Sequence, residues 1–121
     1  MITIENQNVF GKVIADALVS IEQAALTAWN KKRHVTAIAK AAARIETSGV
    51  FMDYDAAADR LLIWSDSNEI YEISADGRCQ CKAAEHDAIC WHRTAKRLIE
   101  RYNEAAASLY AQASIYEEVS Q

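Results

Sequence analysis

Apolar residues recur at helical spacing through the first part of the chain. Val13, Ala17, Ile21, Ala24 and Ala28 fall on one face, with Phe10, Ile14, Leu18 and Ala25 beside them. That period predicts a helix over 9–28, preceded by a short extended lead-in over 1–8. Trp29-Asn30-Lys31-Lys32 reads as a break, with Asn30 as terminator or cap. Val35, Ile38, Ala42 and Ile45 then predict a second helix over 34–46. Thr47-Ser48-Gly49 ends it, with Gly49 supplying the C-terminal turn. Two helices joined by so short a link form an αα-hairpin.

From Gly49 the period drops to two. Val50, Met52 and Tyr54 alternate with Phe51 and Asp53, which predicts a strand over 49–54. A second strand is expected over 60–65, with Leu61 and Ile63 opposite Leu62 and Trp64. A third is expected over 69–74, with Tyr71 and Ile73 opposite Ile70 and Glu72. Asp66-Ser67-Asn68 and Asp76-Gly77 supply turns. The result is a three-stranded antiparallel meander whose last turn delivers the chain to Cys79. Helical spacing returns from Thr94 to about Val119, where Ala95, Leu98, Ile99, Tyr102, Ala106, Leu109, Tyr110, Ala113 and Tyr116 form one stripe. The stripe outruns the sheet. Its far end must pack on the N-terminal hairpin or on another copy, so a homodimer through this helix is an expectation.

Between sheet and helix lies Cys79-Gln80-Cys81, a spacer of eight residues, and Cys90-Trp91-His92. All three cysteines are here, with two of the three histidines, His92 beside Cys90 and His86 in the spacer. Three thiols and one imidazole make a complete tetrahedral set for zinc. Residues two apart on an extended chain share a face, so Cys79 and Cys81 can meet one ion. Cys90 and His92 cannot do so from mid-helix. Cys90 therefore belongs in the loop or near an N-cap, with His92 in the first turn. A helix N-terminus also favours the thiolate, the form that ligates metal.

Buried reduced cysteines with a surface His92 are the rival reading. Arg78, Gln80, Lys82, Glu85, His86 and Asp87 make the setting polar, however, and such a segment cannot bury three thiols by packing alone. A disulfide leaves one cysteine over, and the N-terminus lacks the charged start and apolar run of a signal peptide. Zinc is preferred to iron because Cys3His closes a structural zinc site without redox chemistry. His86 is a rival ligand within the spacer.

Cys-x-Cys, a variable spacer and Cys-x-His resemble the SWIM zinc finger. That module occurs in bacterial helicase-like remodelling ATPases, Mutator-type plant transposases and some eukaryotic signalling proteins. In the family a β-hairpin leads into Cys-x-Cys, and Cys-x-His opens a helix. The resemblance covers residues 61–102, roughly a third of the chain. It implies Cys79, Cys81, Cys90 and His92 as zinc ligands. Residues before Tyr54 show no such likeness. No ATPase or transposase segment accompanies the finger, so the larger roles of those proteins do not carry over.

The expected class is α+β: an N-terminal αα-hairpin over 1–48, then a β-meander and a zinc-closed ββα-like SWIM unit over 49–102. A long helix extends over 103–121, all within a single domain. The 121 residues are 51% hydrophobic and 25% charged, an ordinary globular balance. Much of the apolar count is alanine, so the core is thin and a metal staple would help it. No apolar run is long enough to span a bilayer, which with the missing signal peptide predicts a cytoplasmic protein without membrane contact.

The formal net charge is −4, a poor basis for general nucleic-acid binding. The charge is uneven, though. Arg78, Lys82, Arg93, Lys96, Arg97 and Arg101 surround the metal motif and are the candidate nucleic-acid contacts. Lys31, Lys32, Arg33, Lys40 and Arg44 form a second basic group. Both groups can equally be solvated helix surface. The second helix is mostly alanine and offers few base-reading side chains, so a packing hairpin is preferred to a DNA-reading helix-turn-helix. Trp91 is expected to pack over the metal unit, with stacking on a base as its alternative. Three function classes follow. The first is a zinc-rigidified module binding nucleic acid, DNA rather than RNA, or a protein. The second is an acidic interaction or inhibitor protein of a mobile element or phage, docking on a nucleic-acid enzyme. The third, catalysis, is disfavoured: four ligands fill the shell, and no nucleophile triad, phosphate loop or carboxylate pair stands out.

Overall fold

The computed structural model describes residues 1–64, 69–79, 81 and 89–119, the last ten of these as helix backbone. Three long helices and a three-stranded antiparallel sheet make a mixed α+β arrangement. Helix α1 spans Gln7–Gln23 and α2 spans Ala28–Ser48. The break between them lies at 24–27, not at Trp29-Asn30-Lys31-Lys32, which is helical. The deciding residue is Thr27. Its hydroxyl accepts the Asn30 N–H at 3.2 Å, so it serves as N-cap and lets Trp29 join the first turn. Asn6 caps α1 in the same way, through the Val9 N–H at 3.1 Å.

Gly49 also differs from expectation. It follows α2 in a right-handed conformation, with φ −59°, and opens a short 3-10 turn, Gly49–Phe51. The glycine is needed for space rather than for a left-handed turn. A Cβ there would sit 2.4 Å from the Ile2 carbonyl oxygen, whose own N–H donates to the Gly49 carbonyl at 2.8 Å. Strand β1 consequently starts later than expected, at Met52–Asp55.

Strands β2, Arg60–Trp64, and β3, Ile70–Ile73, complete the meander in the order β1-β2-β3. Met52 pairs with Ile63, Tyr54 with Leu61, and Leu61 with Ile73. This register puts Met52, Leu61, Ile63 and Ile73 on one buried face and leaves Asp53, Asp55 and Glu72 outside. Helix α3, Trp91–Val119, opens just after Cys90 with His92 in its first turn, and lays Ala95, Leu98, Ile99 and Tyr102 across that face. Ala41 and Ile45 of α2 and Phe10 of α1 fill the remaining side of the core. Phe10 meets the Tyr102 ring edge-on at 5.9 Å. The Tyr102 hydroxyl accepts the backbone N–H groups of Glu5 and Asn6, at 3.1 and 3.0 Å, and so pins the entry to α1.

Asp66-Ser67-Asn68, Ser65 and the spacer from Lys82 to Ala88, including His86, lie outside the described residues, as do the side chains of Tyr110, Ala113 and Tyr116. Among the described residues no helix is long and apolar enough to cross a membrane.

Candidate metal centre

The turn after β3 sets the first ligand pair. Gly77 occupies the left-handed position, φ 81°, which Ala75-Asp76-Gly77 needs to reverse the chain. The Ser74 N–H donates to the Arg78 carbonyl at 3.1 Å and the Gly77 N–H to the Ser74 carbonyl at 2.9 Å. Asp76 holds the bend by accepting from the Ser74 hydroxyl and the Arg78 N–H. The ladder then resumes for one step, Ile73 bridging Cys79. Cys79 is thus presented from a continuation of the sheet, and the Cys81 N–H turns back to its sulfur.

The second pair comes from the start of α3. Cys90 immediately precedes the helix, and its carbonyl accepts the Thr94 N–H at 3.3 Å and the Thr94 hydroxyl at 3.2 Å. Its sulfur takes the Arg93 N–H, so a cysteine does the work of an N-cap side chain. His92 lies in the first turn, as its spacing from Cys90 demands.

These four residues converge. Cys79 Sγ, Cys81 Sγ, Cys90 Sγ and His92 Nδ1 all lie within 4.8 Å of one another. Cys79 Sγ is 3.7 Å from His92 Nδ1, Cys90 Sγ is 3.3 Å from it, and Cys81 and Cys90 sulfurs are 3.2 Å apart. With bonds of about 2.3 Å to sulfur and 2.0 Å to nitrogen, a tetrahedral zinc site has ligand–ligand edges of about 3.5–3.8 Å. The separations, from 3.2 Å up to 4.8 Å, bracket these edges, so this donor set could hold one metal ion, for which zinc is typical. None of the three sulfurs is in a disulfide, and all three cysteines are buried. Cys90 is held as the thiolate, its pKa lowered to about 3. The hydrogen bond with Cys79 acts first, and His92 and the Arg93 N–H outweigh the opposing effect of burial. Cys79 is pushed the other way, by its hydrogen bond with Cys90 and then by burial.

Two aromatic rings contact the imidazole. Tyr71 of β3 stacks on His92 at 4.9 Å and 27°, and Trp91 lies at 4.2 Å and 39°. Tyr71 escaped sequence reasoning as a site residue. Its place in the β3 alternation, on the same face as Ile73, was the only signal.

The basic residues separate into different environments. Arg93, Arg97 and Arg101 are exposed in one row along α3, at i, i+4 and i+8. They border a cavity of about 340 Å³ against Ser20, Ile21 and His34. Arg78 is exposed and pairs with Asp76 at 3.1 Å. Lys82 lies outside the described residues. Lys96 departs from expectation. It is buried, and its ammonium pairs with Asp59 at 3.0 Å and with Glu100. It faces the β1–β2 turn because its position follows the buried Ala95 on α3, so it cannot offer its charge to a partner.

The structure adds a second basic face that the sequence had left as a solvated helix. Lys40 and Arg44 of α2 lie over the Trp91 ring, at 5.7 and 6.0 Å. Trp29, Lys32, Arg33 and Lys40 border a cavity of about 550 Å³ together with Cys81 and Trp91. Compared with family models, characterised proteins and solved structures, the chain matches none.

Proposed function

We propose that this protein is a zinc-closed binding module of the SWIM type, whose basic surface beside the metal site engages nucleic acid. The observation that carries the reading is the closed four-ligand cluster with Cys90 as the cap of α3. Four protein donors satisfy a tetrahedral ion, which suits a structural rather than a catalytic role. Cys79 and Cys81 would hold zinc from the sheet side, and Cys90 and His92 from the helix side. The ion would supply rigidity, fixing the start of α3 against β3. Fixing that start also fixes the direction of Arg93, Arg97 and Arg101. No ion pair engages these three among the described residues. Charges held in a row on a rigid helix can neutralise successive phosphates.

A titration of single-stranded and of duplex DNA, each at two salt concentrations, tests this. Binding should weaken steeply with salt, and Arg93→Ala/Arg97→Ala/Arg101→Ala should flatten the log–log slope by about 3. No binding at low salt would reject the reading. It would favour instead the acidic interaction or inhibitor role, for which the outward carboxylates of the sheet, Asp53, Asp55 and Glu72, provide the surface.

A further inference from the structure

We infer that the groove between α2 and the metal centre is a binding site for single-stranded nucleic acid, with Trp29 as the stacking platform. The inference rests on the nucleic-acid reading above and names the strand form and the contacting residues. Trp29 is the central observation. It is 67% exposed, although it sits in the first turn of a well-capped helix. It contributes nothing to the core, so folding does not account for a tryptophan there.

Its neighbours supply the complementary chemistry. Arg33 and Lys40 follow Trp29 at i+4 and i+11 and lie along the same side of α2, with Lys32 beside them. Arg44 continues the stripe at i+15, about 22 Å from Trp29 along the axis. Helix α2 carries five basic residues against the single Glu46. None of Lys32, Arg33, Lys40 and Arg44 has an ion-pair partner among the described residues. Lys40 and Arg44 already lie over the Trp91 ring, so Trp29 is the aromatic left open for a base. A flat ring beside a cationic track is how proteins hold unpaired strands with little sequence preference. Duplex reading fits less well, because beyond its basic residues α2 offers only Thr36, and no Asn or Gln, to base edges in this groove. The groove and the arginine-lined cavity share Ile89 and Cys90, so the two basic surfaces adjoin at the start of α3.

The test uses the full chain purified with zinc, with fluorescein-labelled oligothymidylate and oligouridylate of roughly fifteen nucleotides as probes and a duplex of equal length. Binding is followed by anisotropy and by quenching of tryptophan emission. The single strands should bind more tightly than the duplex, and the two arms show whether the 2′-hydroxyl matters. Trp29→Ala should weaken binding by about 5- to 150-fold, and Trp29→Phe should remove most of the quenching while keeping much of the affinity. Lys32→Ala/Lys40→Ala should weaken binding and reduce its salt slope. Trp29 is exposed, so unchanged melting of Trp29→Ala is the expected control. If the parent chain binds single strands and Trp29→Ala binds equally well, this inference is overturned while the arginine-row reading stands. Tighter binding to duplex overturns it likewise. A parent chain that binds no nucleic acid overturns both readings. Tighter capture of poly-glutamate than of either oligonucleotide reassigns the groove to an acidic protein.

Discussion

Replacing Lys96 with methionine removes one charge from the tie between α3 and the β1–β2 turn and keeps the alkyl stem in place. Lys96 is 6% exposed and its ammonium pairs with Asp59 and Glu100, while the Tyr54 hydroxyl donates to Asp59 at 3.0 Å. Removing one member of a fully buried pair costs about 3–5 kcal/mol. Here the carboxylate side chains are 46% and 31% exposed and can rehydrate. The expected loss falls to about 1–2 kcal/mol. For a chain of this size that lowers the melting temperature by about 5–10 °C.

The sign of the pH dependence follows from the shifts. The Lys96 hydrogen bond holds the Asp59 carboxyl below its usual range, helped by Glu100 and Tyr54. A depressed carboxyl stabilises above its unfolded value and loses that contribution as pH falls through its folded value. Burial lowers Lys96, but its bonds to Glu100 and Asp59 outweigh this and raise it. A raised lysine keeps its contribution below its unfolded value and loses it as pH climbs through the folded one. The gap between parent and Lys96→Met should therefore be widest near neutrality. It should close below about pH 4 and persist to beyond about pH 10. Thermal melts followed by circular dichroism read this directly. Equal melting at pH 7, or a gap unchanged at pH 3, would refute the reasoning.

Two further substitutions probe how the N-terminal segment is held. Gly49→Ala forces a Cβ against the Ile2 carbonyl. It should cost about 1–3 kcal/mol and expose residues 1–6 to limited proteolysis, and an unaltered cleavage pattern would contradict the close approach. Tyr102→Phe leaves two backbone N–H groups without their acceptor and should cost about 1–3 kcal/mol in a urea titration, with no change in metal content.

The Cys3His cluster was legible because its four residues lie within fourteen positions and their spacing alone limits the geometry. A Cys-x-His pair cannot share a mid-helix face, which puts Cys90 in the loop or near the N-cap on spacing alone. Strand alternation likewise separated Leu61 and Ile63 from Leu62 and Trp64, and it is the first pair that the structure buries. What stayed hidden depends on distant chain segments. Lys96 looks like a surface lysine until Asp59, 37 residues earlier, arrives in a turn beside it. Asp59 itself adopts φ 51°, a conformation the sequence does not advertise for a non-glycine. Trp29-Asn30-Lys31-Lys32 reads as a break because Asn30 is a common terminator, whereas the Thr27 hydroxyl caps α2 ahead of it. The juxtaposition of α2 with Trp91 needs the whole core in place. Gly49 showed a glycine signal that was correct in position and wrong in cause, since a close approach and a left-handed turn look alike in sequence.

The central claim is one structural ion held by Cys79, Cys81, Cys90 and His92. Elemental analysis of the purified chain, run beside Cys81→Ser, tests it most directly. About one zinc per chain is predicted, with most of it lost in the variant together with a lower melting temperature. Parent protein that is fully folded yet carries no transition metal, or a Cys81→Ser variant with full zinc and native melting, would contradict it.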